Sequence, residues 1–271
     1  MEVQFLEYQQ SRIAYGRWGK GPRLLIALPG FGDTLSSFAV LATALEKTHT
    51  VWAIDLPAHG ATRWKAPQFS LQDYQQIIKL LLQQSSFERL SLMGHSFGGR
   101  IVLSLLPTLL PRLDALYLIA PDGLGTTDLK YTAYLPAFIR HWVAKLLEHP
   151  QFLLKMTDFL HRYGGLATPS HRFFQRQLQT PTQRQRLVLY WRSLPTFRLK
   201  RKSIRQLLLN SELPVHLFLG KKDTIVPPAL GPKFSKGLPQ VQCHLLPGGH
   251  RLLHDELAAV LQQIHAEDTT R

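Results

Sequence analysis

"LSLMGHSFGGRIVL", residues 90–103, sets an apolar run, a glycine-rich knot and a second apolar run into fourteen positions. The first run has the short, continuously apolar character of a strand covered on both faces. The second, FGGRIVLSLL, has the length and spacing of a buried helix. Between them Ser96 sits with glycines at 94 and 98. A surface turn has no need of buried segments pressed against both its sides. A strand that turns directly into a helix, with small residues on either side of a serine, holds that hydroxyl clear of the sheet and at a helix N-terminus, where developing negative charge is favoured.

Working outward, strand-like runs lie at 3–8, 12–18, 23–28, 50–54, 115–120, 215–220 and 241–246, besides that at 89–93. The first two read as an amphipathic hairpin. Helical stretches fall between the others, at 37–47, 70–84, 97–110, 228–236 and 250–265. Strands alternating with helices predict an α/β fold: a mostly parallel eight-stranded sheet with helices on both faces. The alternation stops between about 123 and 207. No strand is expected there, and His149-Pro150, Thr168-Pro169 and Thr180-Pro181 each mark a helix start. An apolar stripe of Phe138, Ile139, Trp142, Val143, Leu146 and Leu147 has helical spacing, as a packed face does. The expected organisation is core at 1–122, a helical insertion between strands 6 and 7 at 123–207, and core again at 208–271.

The chain has 271 residues, 45% of them apolar, enough for one large core. Its single cysteine, Cys243, excludes an intrachain disulfide. No stretch approaches the length of a membrane span, and the first eighteen residues lack the pattern of a signal peptide. The expectation is a soluble, cytoplasmic chain. The net charge of +14 is unevenly spread: residues 130–205 hold 15 Lys and Arg against two acids, Glu148 and Asp158. Such a segment suits an anionic membrane surface, an acidic substrate or nucleic acid, or is simply a solvated face. No nucleic-acid motif accompanies it.

A nucleophilic serine needs a base, and the base an orienting acid. "LFLGKKDTIVPP" puts Asp223 just after a strand, and "HLLPGGHRLLHDE" puts His250 between the last strand and the last helix. The alternatives are Asp122 as acid and His254 or His59 as base. His250 and His254 form an H-x-x-x-H pair, but Arg251 stands where a zinc protease carries its glutamate, so no metal is expected. "LIALPGFGDT" runs from the third strand into a glycine-rich loop. The N–H groups of Phe31 and Phe97, the residue after the serine, are the candidate oxyanion donors.

These pieces together, PGFGD (29–33), DLPAHG (55–60), GHSFGG (94–99), GKKDTIVP (220–227) and GGH (248–250), resemble the α/β-hydrolase fold superfamily over nearly the whole chain. Members usually have His-Gly where this chain has Pro29-Gly30, and a glycine where it has Ala58. The resemblance implies a catalytic Ser96, Asp223 and His250, no cofactor, and a cap formed by 123–207. It implies acyl transfer on a small-molecule ester or thioester. Ser96 argues against the dehalogenases and epoxide hydrolases of the superfamily, which use aspartate at that position.

Arg100, a cation in the first turn of a helix, opposes the helix dipole. That placement makes sense if it holds the anionic group of an acidic substrate near Ser96; the alternative is an arginine that snorkels to solvent from the side of the helix. "HSFGGR" also resembles the serine-to-arginine spacing of the menaquinone-pathway lyase of this superfamily, so a lyase or C–C bond hydrolase is an alternative. A non-catalytic binding protein on the same fold is another.

Overall fold

The computed structural model describes residues 1–125, 142, 145–146, 150–166 and 168–269. The strands are β1 (Glu2–Tyr8), β2 (Ser11–Trp18), β3 (Arg23–Leu28), β4 (His49–Ile54), β5 (Leu90–His95), β6 (Leu113–Ile119), β7 (Val215–Gly220) and β8 (Val241–Leu246). They form one eight-stranded sheet in the order β1-β2-β4-β3-β5-β6-β7-β8. β1 pairs with β2, and β2 with β4, antiparallel; every other pairing is parallel. β1 is thus the polar-faced edge, β3 to β7 are the strands whose continuous apolar runs demanded cover on both faces, and β8 forms the other edge with Gln242 and Leu245 exposed.

Helices α1 (Ala39–Leu45) and α9 (Asp255–Thr269) supply that cover on one face. Leu41, Leu45, Leu257 and Leu261 pack there with Leu25, Ala27, Met93, Tyr117 and Phe218 of the sheet. Helix α3 (Phe97–Leu109) contributes nothing to that cluster and packs against β3, β5 and β6, with α2 (Leu71–Gln83) beside it. Two short helices lie further along the chain, α7 (Arg201–Leu209) and α8 (Leu230–Ser235).

The last helix begins later than its periodicity predicts, at Asp255 rather than 250. Asp255 and Glu256 form the acidic first turn that the dipole favours, and Gly248 at φ +102° keeps the preceding residues out of helix. His250 and His254 therefore both lie in a loop.

Residues 1–64, 71–126 and 197–271 form one compact unit, which contains the sheet and α7; residues 65–70 and 127–196 form a second. The described helices of the second are α4 (Pro150–Arg162), α5 (Thr168–Gln177) and α6 (Pro181–Ser193). Each starts at one of the three X-Pro pairs. Thr180 closes a capping box with Gln183, so the Gln- and Arg-rich stretch at 172–186 is two helices parted at that cap. Within this unit the Phe69 N–H donates to Ser193 Oγ at 2.8 Å. The apolar stripe at Phe138, Ile139, Val143 and Leu147 lies outside the described residues.

Candidate active site

The loops after β3, β5, β7 and β8 leave the sheet at the ends of parallel strands, where neighbouring strand ends converge. Ser96 follows β5 and caps α3, at φ 51° and ψ −115°. Among the described residues only three other non-glycines have positive φ. The strain is held in place from several directions. The Ser96 N–H donates to the Ile119 carbonyl at 2.9 Å, and the Ser96 carbonyl accepts from the Asp122 N–H at 2.9 Å. The glycines of the motif are required by close approach: a Cβ on Gly98 would stand 2.0 Å from the Leu28 carbonyl oxygen, and one on Gly94 2.6 Å from that of Gly98. Strand and helix could not close around Ser96 with any larger residue at either place.

Asp223 follows β7 and is buried. Its Oδ1 accepts from the N–H groups of Ile225 and Val226 at 2.8 and 2.9 Å, and its Oδ2 lies 2.8 Å from His250 Nδ1. Burial alone would push its carboxyl up. The His250 hydrogen bond, with the Val226 and Ile225 amides, outweighs this and holds it below the ordinary carboxylate value. An ionised Asp223 only accepts, so Nδ1 of His250 carries the proton and Nε2 is left as acceptor. That Nε2 lies 2.9 Å from Ser96 Oγ. Three residues separated by up to 154 positions are thus joined in one hydrogen-bonded line.

The loop after β3 lies against the serine. A Cβ on Gly30 would stand 3.2 Å from Ser96 Cβ, which places Phe31 one residue from that contact. Phe97, whose N–H opens α3, is buried against Phe197. His95, the residue before the serine, donates from Nε2 to the His250 carbonyl at 3.0 Å, and its Nδ1 is 3.2 Å from Asp33 Oδ2. Although burial pushes the Asp33 carboxyl up, His95, Arg251 and His250 together hold it below its ordinary value.

The alternatives to Asp223 and His250 are engaged elsewhere. Asp122 faces Arg100 in a paired contact, Nε to Oδ2 at 2.8 Å and Nη2 to Oδ1 at 2.9 Å, while Arg100 Nη1 donates to the Phe197 carbonyl at 3.2 Å. Arg100 is buried. The charge expected to meet a substrate anion meets a carboxylate of the chain itself. His254 Nδ1 is 3.3 Å from Glu256 at the surface. His59 is buried and donates from Nδ1 to the Pro57 carbonyl, while its Nε2 accepts from the Gly32 N–H, both at 2.9 Å. It orients the loop after β3 rather than the serine. Asp55 does the same from the end of β4, accepting from the Leu35 N–H at 2.7 Å and the Ala61 N–H at 2.9 Å. Sequence reading missed both roles, though DLPAHG was the signal that could have found them.

Among the described residues, no three His, Cys, Asp or Glu side chains are grouped to hold a metal ion, and no helix is long and apolar enough to cross a membrane.

A family model for the alpha/beta hydrolase fold matches residues 23–257. The chain belongs to that family. The match begins at β3 and reaches the first turn of α9, so it contains every residue of the site above. An uncharacterised Mycobacterium bovis protein is 25% identical, over 99% of this chain and 82% of its own length. The dihydrolipoyllysine-residue acetyltransferase component of the acetoin cleaving system of Cupriavidus necator is 26% identical; that match covers half of this chain and 36% of the relative. Among solved structures, a thermophilic esterase from Thermogutta terrifontis superposes with a TM-score of 0.71 at 17% identity, over 100% of this chain and 99% of that one. At that identity the likeness is one of fold.

Proposed function

We propose that the protein is a serine hydrolase that cleaves a carboxylic ester or thioester through an acyl-enzyme. The observation that carries this reading is the position of His250, 2.9 Å from Ser96 Oγ and 2.8 Å from the Asp223 carboxylate. In this reading Ser96 Oγ attacks the carbonyl carbon as its proton passes to His250 Nε2. Asp223, kept ionised by its amide donors, stabilises the imidazolium and holds the ring in place. The carbonyl oxygen, now negative, accepts from the N–H groups of Phe31 and Phe97. Collapse expels the alcohol or thiol, which takes the proton from His250. Water then attacks the acyl-enzyme with His250 again as base, and the carboxylic acid leaves.

The fold family and the esterase among its structural relatives support the same chemistry. The helical insertion between β6 and β7, whose described helices are α4, α5 and α6, is the cap in this account. Arg100 becomes a positioning residue, since its guanidinium is committed to Asp122 and Phe197. With that cation occupied, neutral esters are the favoured substrates over acidic ones.

The test is a panel of p-nitrophenyl esters and acyl thioesters of increasing acyl length, with a neutral and a carboxylate-bearing ester of equal size. Turnover with a preferred acyl length, and no preference for the carboxylate, is expected. Failure of the intact protein to turn over any of them would remove the hydrolase reading.

A further inference from the structure

Helix α4 has two apolar faces. Leu153 and Thr157 are buried on one, toward α5, where His161 stacks on His171 with ring centres 4.3 Å apart. On the other, Phe152, Met156, Phe159 and Tyr163 recur at intervals of four, three and four residues, which is one stripe of a helix. Tyr163 lies just past the last helical residue, but its N–H still donates to the Phe159 carbonyl at 3.1 Å, so it continues the stripe. Phe152 is 57% exposed, Phe159 61% and Tyr163 71%. The Phe159 and Tyr163 rings lie 4.6 Å apart, so the two form a single surface aromatic pair. Leu160 widens the stripe on one side, and Lys155 and Arg162 flank it on the other. A core helix needs one apolar face. The second leaves three aromatic rings in water, at the cost the hydrophobic effect sets.

Lys155 and Arg162 are exposed along the margin of that stripe, and the charge of the segment it belongs to has the same sign. From Pro150 to Ser193 the chain has seven Lys and Arg and one acid, Asp158. Asp158 already accepts from His171 and Gln175, each at 2.7 Å. A second copy of this chain would bring its own basic segment, and another protein would need acids to match. A bilayer with anionic headgroups supplies negative charge at the surface and hydrocarbon directly beneath it. Aromatic side chains at a basic margin are suited to that boundary.

We infer that α4 is a docking surface for an anionic membrane: Phe152, Phe159 and Tyr163 insert at the headgroup boundary while Lys155 and Arg162 pair with lipid phosphates. This attachment is peripheral, and it is independent of the hydrolytic reading.

The experiment is co-sedimentation of the full chain with vesicles of phosphatidylcholine alone or mixed equally with phosphatidylglycerol, at low and high salt. Wild type should partition to the anionic vesicles about tenfold better than to the neutral ones, and salt should weaken this. The triple variant Phe152→Ser, Phe159→Ser, Tyr163→Ser should lose about tenfold in partition, with an unchanged thermal midpoint and circular dichroism spectrum showing that it folds. Lys155→Glu with Arg162→Glu should abolish the preference for anionic lipid. Equal or absent partition of wild type would overturn the proposal, as would a triple variant that binds like wild type. A wild-type dimer that the triple variant dissociates, without vesicle binding, would give the stripe to a second copy instead. Binding to single-stranded RNA in place of vesicles would give the charge to nucleic acid.

Discussion

The Gly32 N–H donates to Nε2 of His59 at 2.9 Å, and this bond ties the loop after β3 to the turn after β4. His59 can accept there because its other nitrogen donates to the Pro57 carbonyl, which fixes the tautomer. In the proposed reaction the Phe31 N–H, one residue away, must point at the developing oxyanion. Replacing His59 with Leu removes the acceptor and lets the loop shift. We expect kcat to fall about ten- to a hundredfold with a smaller change in KM, measured on the best p-nitrophenyl ester. An unchanged kcat would mean that the loop is held without His59.

The two candidate acids separate in a paired experiment. Asp223→Asn leaves His250 without its orienting carboxylate, and kcat should drop by about four orders of magnitude. Asp122→Asn leaves Arg100 with a poorer partner in a buried place, so its effect should fall on stability. A loss of about 2–4 kcal/mol in urea unfolding is expected, with kcat changed far less than in Asp223→Asn. Arg100→Met should likewise destabilise, without altering the ratio of kcat/KM for neutral and carboxylate-bearing esters. A selective loss on the acidic ester would return Arg100 to the substrate site.

Ala58 adopts φ +61°, a left-handed conformation that costs a residue with a Cβ about 1–2 kcal/mol. Glycine removes that strain but adds freedom to the unfolded chain, about 0.5–1 kcal/mol. Ala58→Gly should therefore be neutral to mildly stabilising in urea unfolding. A clear destabilisation would show that the Ala58 methyl group has packing of its own.

His49 is buried, and burial, with His265 and Arg23 nearby, pushes its pKa down to about 3. A histidine that is neutral when folded but free to protonate when unfolded stabilises the fold above the ordinary imidazole value. That contribution is lost as pH falls from about 6.5 toward 3, at up to about 1.4 kcal/mol per pH unit. Asp33 and Asp223, both held below their ordinary values, add a further loss below about pH 4. Unfolding free energy followed from pH 7 to pH 4 should fall, and His49→Gln should flatten the slope between pH 6.5 and 4. A slope unchanged in that variant would assign the acid sensitivity to other groups.

Much of this architecture was legible because it is local. Leu90–His95 and Phe97–Leu109 follow from an apolar run, a glycine knot and a helical run. Thr180-Pro181 announced a helix start, and the capping box there is complete. The positions of Asp223 and His250 followed from their places just beyond strands. What was hidden depends on side chains that meet across the fold. Arg100 and Asp122 are 22 residues apart, and only the parallel pairing of β5 with β6 brings the first turn of α3 to the loop after β6. The link from His59 to Gly32 needs the reversed order of β3 and β4, which periodicity does not encode. The start of α9 departs from the periodic pattern because Leu252 and Leu253 continue the apolar spacing of the helix, while Gly248 and the acids at 255 and 256 decide where it begins.

The central claim is that Ser96 is the nucleophile, and a fluorophosphonate probe with mass-spectrometric mapping tests it most directly. In wild type the label should sit on Ser96 alone, and Ser96→Ala should abolish labelling while leaving the thermal midpoint close to wild type. Ser104 is the informative control, since it lies buried on the same helix with its hydroxyl donating to the Arg100 carbonyl at 2.9 Å. Label that persists in Ser96→Ala, or that maps to Ser104, would contradict the account.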